Sequence, residues 1–350
     1  MNTVEVKTTS GYRVQIGPGL LGKCGRYILS VHTPCPLVLV TDQHVDSLYA
    51  SQVTSCLERS GFQVRKFVLP SGEGAKTLEN YGHLLQFLAQ VGLTRSDLIV
   101  TLGGGVVGDL GGFAAATYQR GTAFIQLPTT LLAQVDASVG GKTAVDLPQG
   151  KNLAGAFWQP KLVLCDTQCL NSLPRDVWAD GAAEAVKSAM IADAGLLEDI
   201  AQGALETQPE MVITRCVQIK AAAVEKDEQD HGERQKLNFG HTAAHGIERW
   251  SGYSIPHGRA VAIGMAVITR ACVQRGLASE TVWQALKKAL DRLDLPKDCP
   301  APARELAEAA AVDKKRQGGQ VTLVLPERIG ECRLVPTDLA ALEQFFQDGF

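Results

Sequence analysis

The feature that most constrains this chain is a short apolar run over residues 97–102, Asp-Leu-Ile-Val-Thr-Leu. It ends directly in Gly103-Gly104-Gly105-Val106-Val107-Gly108-Asp109-Leu110-Gly111-Gly112. A buried strand that breaks into glycines and resumes as a helix is the mark of an α/β sheet. Two readings fit the glycines. Without Cβ atoms the backbone can approach a pyrophosphate, and the unpaired N–H groups of a helix start can bind it. Equally, the run can be a tight turn with close helix packing. Gly103, Gly105 and Gly108 satisfy GxGxxG. They do so at the third strand of the alternating series, and no acidic residue ends a strand about 20 positions later, as an ordinary dinucleotide fingerprint has. Asp42, ending an earlier strand, is the alternative partner for an adenosine ribose.

The flanking stretches repeat the alternation. Strands are predicted over 3–7, 12–16, 36–42, 62–69, 123–127 and 161–165, and helices over 44–59 and 77–91. Buried strands alternating with helices predict a mostly parallel sheet with helices on both faces. Residues 120–160 break the pattern. Paired glycines (Gly140-Gly141), lysines (Lys142, Lys151) and hydroxyls (Thr129, Thr130) mix there with apolar residues and follow no regular period. An irregular functional segment is expected. Lys142 and Lys151 carry compact charges suited to phosphate or carboxylate, although either alone also reads as a solvated surface lysine.

After Cys165 the texture turns helical, with helices predicted over 175–192, 195–203, 209–229, 236–249, 258–275, 279–293 and 303–313. A small hairpin over 321–325 and 332–335 and a closing helix over 339–346 follow. The boundary is placed at Leu173-Pro174, because proline restricts the residue before it and commonly starts a helix. This gives an α/β N-terminal domain over 1–173 and a mainly α-helical C-terminal domain over 174–350.

The helical half holds the metal candidates. His241 and His245 stand at i and i+4, so on a helix both imidazoles leave one face. Glu184 lies in the helix-forming run Ala182-Ala183-Glu184-Ala185-Val186-Lys187,. His257 follows Pro256 at the start of another helix. One carboxylate and two imidazoles, Glu184, His241 and His257, make a three-ligand zinc site with an open position, the arrangement of a catalytic metal. Taken singly, each histidine is also an ordinary surface or core residue.

Composition removes several classes. The net charge is −3, with no basic stripe or lysine run, which argues against nucleic acid and membrane surfaces,. The nine cysteines contain no CxxC pair, and the closest spacing is Cys165 to Cys169. That usage fits a reducing compartment. The N-terminus shows no signal-peptide h-region, and the longest apolar stretch, over 260–268, is far too short to span a bilayer,. A cytoplasmic location is expected.

Several stretches, in order, resemble the 3-dehydroquinate synthase family of sugar-phosphate cyclases. They are Leu69-Pro-Ser-Gly-Glu73 with Lys76, Gly103 to Phe113, Pro128 to Asp136, Gly140-Gly-Lys-Thr143, Gly150-Lys-Asn152, Leu237-Asn-Phe-Gly-His-Thr242, His257-Gly258 and Asp313-Lys-Lys315. The resemblance implies an NAD-binding α/β domain joined to a mainly helical domain, a zinc or cobalt ion, and a homodimer. It implies conversion of 3-deoxy-D-arabino-heptulosonate 7-phosphate to 3-dehydroquinate and phosphate. The steps are transient oxidation by NAD, phosphate elimination, re-reduction and an internal aldol closure. Glu184, His241 and His257 match the metal ligands. Asp42, Glu73, Lys76, Gly104, Gly105, Val106, Asp109, Thr129, Thr130, Leu132 and Asp136 match positions that hold NAD. Lys142 and Lys151 match positions near both cofactor and substrate. Arg120, Asn152, Lys187, Lys220, Arg234, Asn238, His245 and one of Lys314 or Lys315 match groups around the substrate's phosphate and carboxylate. Two positions depart from the family pattern. Ala244 precedes His245 where glycine is frequent, and Arg259 follows His257-Gly258 where an acidic residue is common. Neither replaces a ligand.

Overall fold

The computed structural model describes residues 1–311 and 319–350, so Lys314 and Lys315 lie outside the described residues. The chain forms two compact units, Met1–Leu173 with Lys220–Gln229, and Pro174–Ile219 with Asp230–Phe350.

The first unit is built on a seven-stranded sheet. Its strands are β1 (Asn2–Val6), β2 (Tyr12–Gly17), β3 (Pro36–Asp42), β4 (Gln63–Leu69), β5 (Leu98–Gly103) and β6 (Ala123–Pro128). After the separate hairpin of β7 (Lys142–Leu147) and β8 (Gly150–Phe157), β9 (Leu162–Asp166) completes it. The order is β1-β2-β9-β6-β5-β3-β4. β1 and β2 are antiparallel and every other neighbouring pair is parallel. Alternate side chains feed two cores. Leu37, Leu39, Leu98, Val100 and Leu102 pack with Val53 and Leu57 on one face. Val38, Val40 and Ile99 pack with Leu84, Leu88, Val107 and Leu110 on the other. Burial on both faces is why β3, β5 and β9 read as unbroken apolar runs rather than alternating ones.

Topology accounts for the position of the glycine turn. β3 pairs with β4 on one side and β5 on the other. The order β4-β3-β5-β6-β9 is therefore the doubly wound 2-1-3-4-5 arrangement, in which winding reverses between the first and third strands. The ligand crevice of such a sheet opens at the carboxyl ends of those strands. Here they end in Asp42 and Gly103.

The second unit carries the helices Arg175–Ala192, Ala194–Ala201, His241–Trp250, His257–Gln274, Glu280–Arg292 and Ala303–Ala311. The antiparallel hairpin β10 (Gln320–Arg328) and β11 (Glu331–Asp338) and a short helix, Leu342–Gln347, follow. The helix Pro209–Lys226 contributes its residues up to Ile219 here and its last turns to the first unit.

Three of the differences from expectation bear on the site or on its supporting elements. Residues 142–157 are a paired hairpin rather than an irregular segment. Thr143 Oγ1 donates across it to Ala156 O at 2.9 Å, and an irregularity between Val145 and Leu147 hid the strand period. The helix expected over 236–249 is a 3₁₀ segment, Glu233–Asn238, and a separate α-helix from His241. Gly240 divides them at φ +80°, a left-handed conformation that breaks helical continuity and favours glycine,. Within the stretch 44–59, Asp46–Ala50 form a π turn.

Candidate functional site

In the first unit, β5 runs straight into the helix Gly105–Thr117, with Gly104 at the N-cap in an extended conformation. Gly104 has no side chain with which to cap this helix, and the first N–H groups of a helix lack partners within it and suit a ligand oxygen. Val107 and Leu110 point into the core, while Gly104, Gly105, Val106, Gly108 and Asp109 keep partial exposure along one side. Thr129 N–H donates to Gly103 O at 2.9 Å, which draws the end of β6 against the turn. Thr130 Oγ1 then accepts from Ala133 N at 3.2 Å, turning the chain past Leu132 toward Asp136. Asp42 caps the short helix after β3. Its Oδ1 accepts from His44 N at 2.9 Å, Val45 N at 3.1 Å and Ser71 Oγ at 3.1 Å.

A buried lysine ties the glycine-turn helix to the hairpin. Lys76 Nζ donates to Asp109 Oδ2 and to Asn152 Oδ1, each at 2.5 Å. Burial alone would lower the pKa of this ammonium, but the adjacent Asp109 carboxylate outweighs it and the pKa is raised, so the lysine stays charged. The Lys76 carbonyl accepts from Asp146 N at 2.8 Å, and Asp146 Oδ1 accepts from Asn152 N at 2.7 Å. These bonds hold Asn152 at φ +57°. Asp146 was not singled out in the sequence, and its only signal there is its place between Lys142 and Lys151. Lys151 Nζ lies 4.0 Å from Glu73 Oε1, which places both beside the Lys76 network. Lys220, in the strip of the later helix that belongs to this unit, donates to Asp136 O at 2.7 Å and also pairs with the Asp136 carboxylate.

Two further expected residues are exposed. Lys142 is exposed at the start of β7. Arg120 is exposed, with φ +61°, just before β6. Because β5 and β6 are parallel, with Leu98 beside Ala123 and Gly103 beside Pro128, Arg120 lies at the amino end of the sheet. The glycine turn is at the opposite end.

In the second unit three helices converge on one point. Glu184 sits in the middle of Arg175–Ala192, among the fully buried Ala182, Ala183, Ala185 and Val186, and is itself 1% exposed. His241 and His257 are the first residues of their helices, after Gly240 and Pro256. One ligand atom from each of Glu184, His241 and His257 lies within 4.8 Å of the others. Glu184 Oε1 is 3.6 Å from His241 Nε2 and 3.3 Å from His257 Nε2, while Oε2 pairs with the buried Lys187. The second ring nitrogen of each histidine faces away from the point of convergence. His241 Nδ1 lies 3.2 Å from Phe239 O, and His257 Nδ1 lies 3.4 Å from Glu248 Oε1. The His245 ring meets the His241 ring edge-on at 5.6 Å between centroids.

Electrostatics differ sharply between the two imidazoles. Burial pushes the His241 pKa down to about 3, so its ring is neutral and has a lone pair to give. Burial also works against charge on His257, but hydrogen bonds and charge from Glu184 and Glu248 outweigh it and raise its pKa to about 10. Those carboxylates favour a cation at this point, and an ion would compete with the proton for Nε2. A buried carboxylate, a neutral imidazole and an imidazole between two carboxylates fit a divalent metal such as zinc or cobalt.

Backbone contacts fix His257 in place. The adjacent Gly258 N–H donates to Asp180 Oδ1 at 2.9 Å, and a Cβ on Gly258 would lie 2.2 Å from Asp180 Cα. Glycine is required there by close approach of the two helices. Arg234, in the 3₁₀ segment before His241, is 1% exposed, while Asn238 and His245 are exposed. In this unit, Glu248 and Asp180 are residues that sequence reasoning missed. Glu248 did leave a signal, since it stands seven positions after His241 on the same helix and so shares its face,.

Comparison with known proteins agrees with both halves. The family profile "3-dehydroquinate synthase N-terminal" matches residues 66–180, and "3-dehydroquinate synthase C-terminal" matches residues 181–316. A 3-dehydroquinate synthase of Enterococcus faecalis is 44% identical over 345 residues, covering 96% of both chains. Among solved structures, a 2-epi-5-epi-valiolone synthase from Streptomyces hygroscopicus with NAD+ and Zn2+ bound superposes with TM-score 0.88 at 26% identity, covering 100% of this chain and 98% of that one. A 2-deoxy-scyllo-inosose synthase complexed with carbaglucose-6-phosphate, NAD+ and Co2+ shares the fold, with TM-score 0.89 at 24% identity and full coverage of both chains. With the two profiles together matching residues 66–316 and a near full-length relative at this identity, the chain belongs to the 3-dehydroquinate synthase family.

Proposed function

We infer that this protein is a 3-dehydroquinate synthase. It converts 3-deoxy-D-arabino-heptulosonate 7-phosphate to 3-dehydroquinate and phosphate, as an NAD- and divalent-metal-dependent lyase in the biosynthesis of aromatic amino acids. The observation that carries this reading beyond family membership is the convergence of Glu184 Oε1 with Nε2 of His241 and His257. Held by Glu184, His241 and His257, a divalent metal would supply Lewis acidity toward the C5 hydroxyl, and NAD would supply a reversible hydride acceptor for that carbon,.

The chain's own residues do the rest. The uncapped start of Gly105–Thr117 binds the dinucleotide pyrophosphate through backbone N–H groups, with Gly104, Gly105 and Val106 against it,. Asp42 uses Oδ1 for its own cap, so Oδ2 is the oxygen offered to a ribose hydroxyl. Lys76 orders Asp109 and Asn152, and Glu73, Thr129, Thr130, Leu132 and Asp136 complete the cofactor contacts. Lys142, Lys151 and Asn152 address the phosphate. Fixed cations of this kind stabilise the negative charge that grows on the leaving oxygen. Lys187, Lys220, Arg234 and Asn238 hold the carboxylate and hydroxyls. The substrate phosphate is itself basic enough to take the C6 proton, so His245 positions the phosphate or relays that proton.

We propose a homodimer. Arg120 lies at the end of the sheet away from the glycine turn, so its matched role at the substrate would be played in a second copy.

Phosphate release from the heptulosonate phosphate with trace NAD, together with product identification, tests the activity. Many turnovers per NAD and a 3-dehydroquinate product are expected. NADH accumulating in proportion to substrate would instead indicate a polyol dehydrogenase, and a different carbocycle would indicate a sister cyclase.

A further inference from the structure

His257 is the ligand candidate whose orientation is set by a replaceable side chain. The Nδ1 of His241 faces a backbone carbonyl, Phe239 O at 3.2 Å, which no substitution of a side chain removes. The main chain at His257 is fixed by Pro256 before it and by the Gly258–Asp180 hydrogen bond after it. What remains free is rotation of the ring. Against Nδ1, at 3.4 Å, stands Oε1 of Glu248, on the helix that begins with His241. The side chain of Glu248 is 4% exposed, a depth at which a carboxylate must be bonded to be tolerated. Its backbone is anchored as well: the Glu248 carbonyl accepts from Ser251 Oγ at 3.0 Å and Tyr253 N at 2.7 Å, closing the end of its helix. A rigid acceptor on one side of an imidazole decides which nitrogen keeps the hydrogen, and so which one has the lone pair.

We propose that Glu248 is a positioning residue for the metal site: it accepts the Nδ1–H of His257 and so commits Nε2, the nitrogen beside Glu184, to the ion. The inference rests on the metal reading above. It adds that one helix, His241–Trp250, supplies a ligand at its first residue and orients a second ligand, carried by another helix, from two turns further on.

The test measures Zn2+ and Co2+ affinity by competition with a chromophoric chelator, on the full-length protein and its Glu248→Gln and Glu248→Met variants. NAD binding serves as the check on folding. Glutamine keeps an acceptor and is expected to hold the metal within about threefold of the unsubstituted protein. Methionine keeps the volume without a strong acceptor and is expected to weaken it roughly 10–100-fold, the usual range for losing such a partner. The visible bands of the Co2+ form should also shift in the methionine variant. A methionine variant that binds metal as tightly as the unsubstituted protein overturns the proposal. If that variant does not fold, the ¹⁵N signals of the histidines in the metal-loaded protein decide. Protonated Nδ1 and metal-bound Nε2 at His257 support the assignment, and the reverse overturns it. An unsubstituted protein that binds no ion removes the metal reading and this proposal together. Binding that needs His257 but is indifferent to Glu248 removes this proposal alone.

Discussion

Glu184 illustrates how one side chain can be placed by its neighbours rather than by its own preference. Buried among alanines, its carboxylate divides its two oxygens between Lys187 and the pair of imidazoles. Replacing it by glutamine removes the charge that favours a cation there. We predict that Glu184→Gln loses bound metal and lowers turnover at least 100-fold, on the order of what one electrostatic stabiliser contributes; metal analysis with a kinetic assay checks this, and full metal content in the variant refutes it. Lys142 is exposed and starts β7, so Lys142→Ala should leave the melting temperature unchanged. Its kcat should fall about 100-fold through the lost phosphate contact, and an unchanged kcat refutes the role. Glu184, His241 and His257 were legible as candidate ligands because the run around Glu184 reads as a helix and Pro256 marks the helix start that carries His257,. Glu248 was not, since its place on the His241 face acquires meaning only once His257 arrives from another helix. Nor could the sequence tell which end of the sheet Arg120 would occupy, because that depends on the pairing of β5 with β6.

Helices and strands were mostly legible where burial imposes a clear period. The runs of β3, β5 and β9 and the alanine-rich helix Arg175–Ala192 fall where expected. The β7–β8 hairpin did not, because an irregularity and small residues blur its alternation, and the stop at Gly240 is a matter of one left-handed residue. Two element-scale predictions follow from packing and capping. Gly258→Ala would place a methyl 2.2 Å from Asp180 Cα and should cost about 1–3 kcal/mol as overpacking. It should also weaken metal binding by displacing His257. Melting and chelator competition check both, and an unperturbed variant refutes the close approach. Asp193 caps Ala194–Ala201 through Leu196 N at 3.0 Å and takes Arg215 Nη2 at 2.6 Å. Burial alone would raise its pKa, yet these bonds outweigh burial and lower it. A carboxyl whose pKa is lower folded than unfolded stabilises the fold above its unfolded value, near 3.9. That stabilisation is lost as pH falls through the folded value. Asp193→Asn should therefore be less stable than the unsubstituted protein at pH 7, by about 1 kcal/mol, and the gap should begin to narrow as pH falls below about 4. A gap that does not narrow at all below that pH counts against the charge as its source.

At the scale of the whole molecule, among the described residues no helix is long and apolar enough to cross a membrane. A homodimer predicts a mass near twice 37.4 kDa by light scattering; a monomer at assay concentration would leave Arg120 without a substrate to meet. Chelation should abolish turnover while NAD remains bound, and added Zn2+ or Co2+ should restore it.

The strip Lys220–Gln229 belongs with a stretch of chain that ended some fifty residues earlier, at Leu173. It brings Lys220 to Asp136, Glu225 to the Lys7 amide, and Glu228 to Thr9 and Gln159. A gene cut at codon 173 would therefore yield a fragment stripped of its own clasp, with Asp136 and the N-terminal turn left open. Ribosomal synthesis faces the same gap: the nucleotide half can close only after more than two hundred residues have left the exit tunnel.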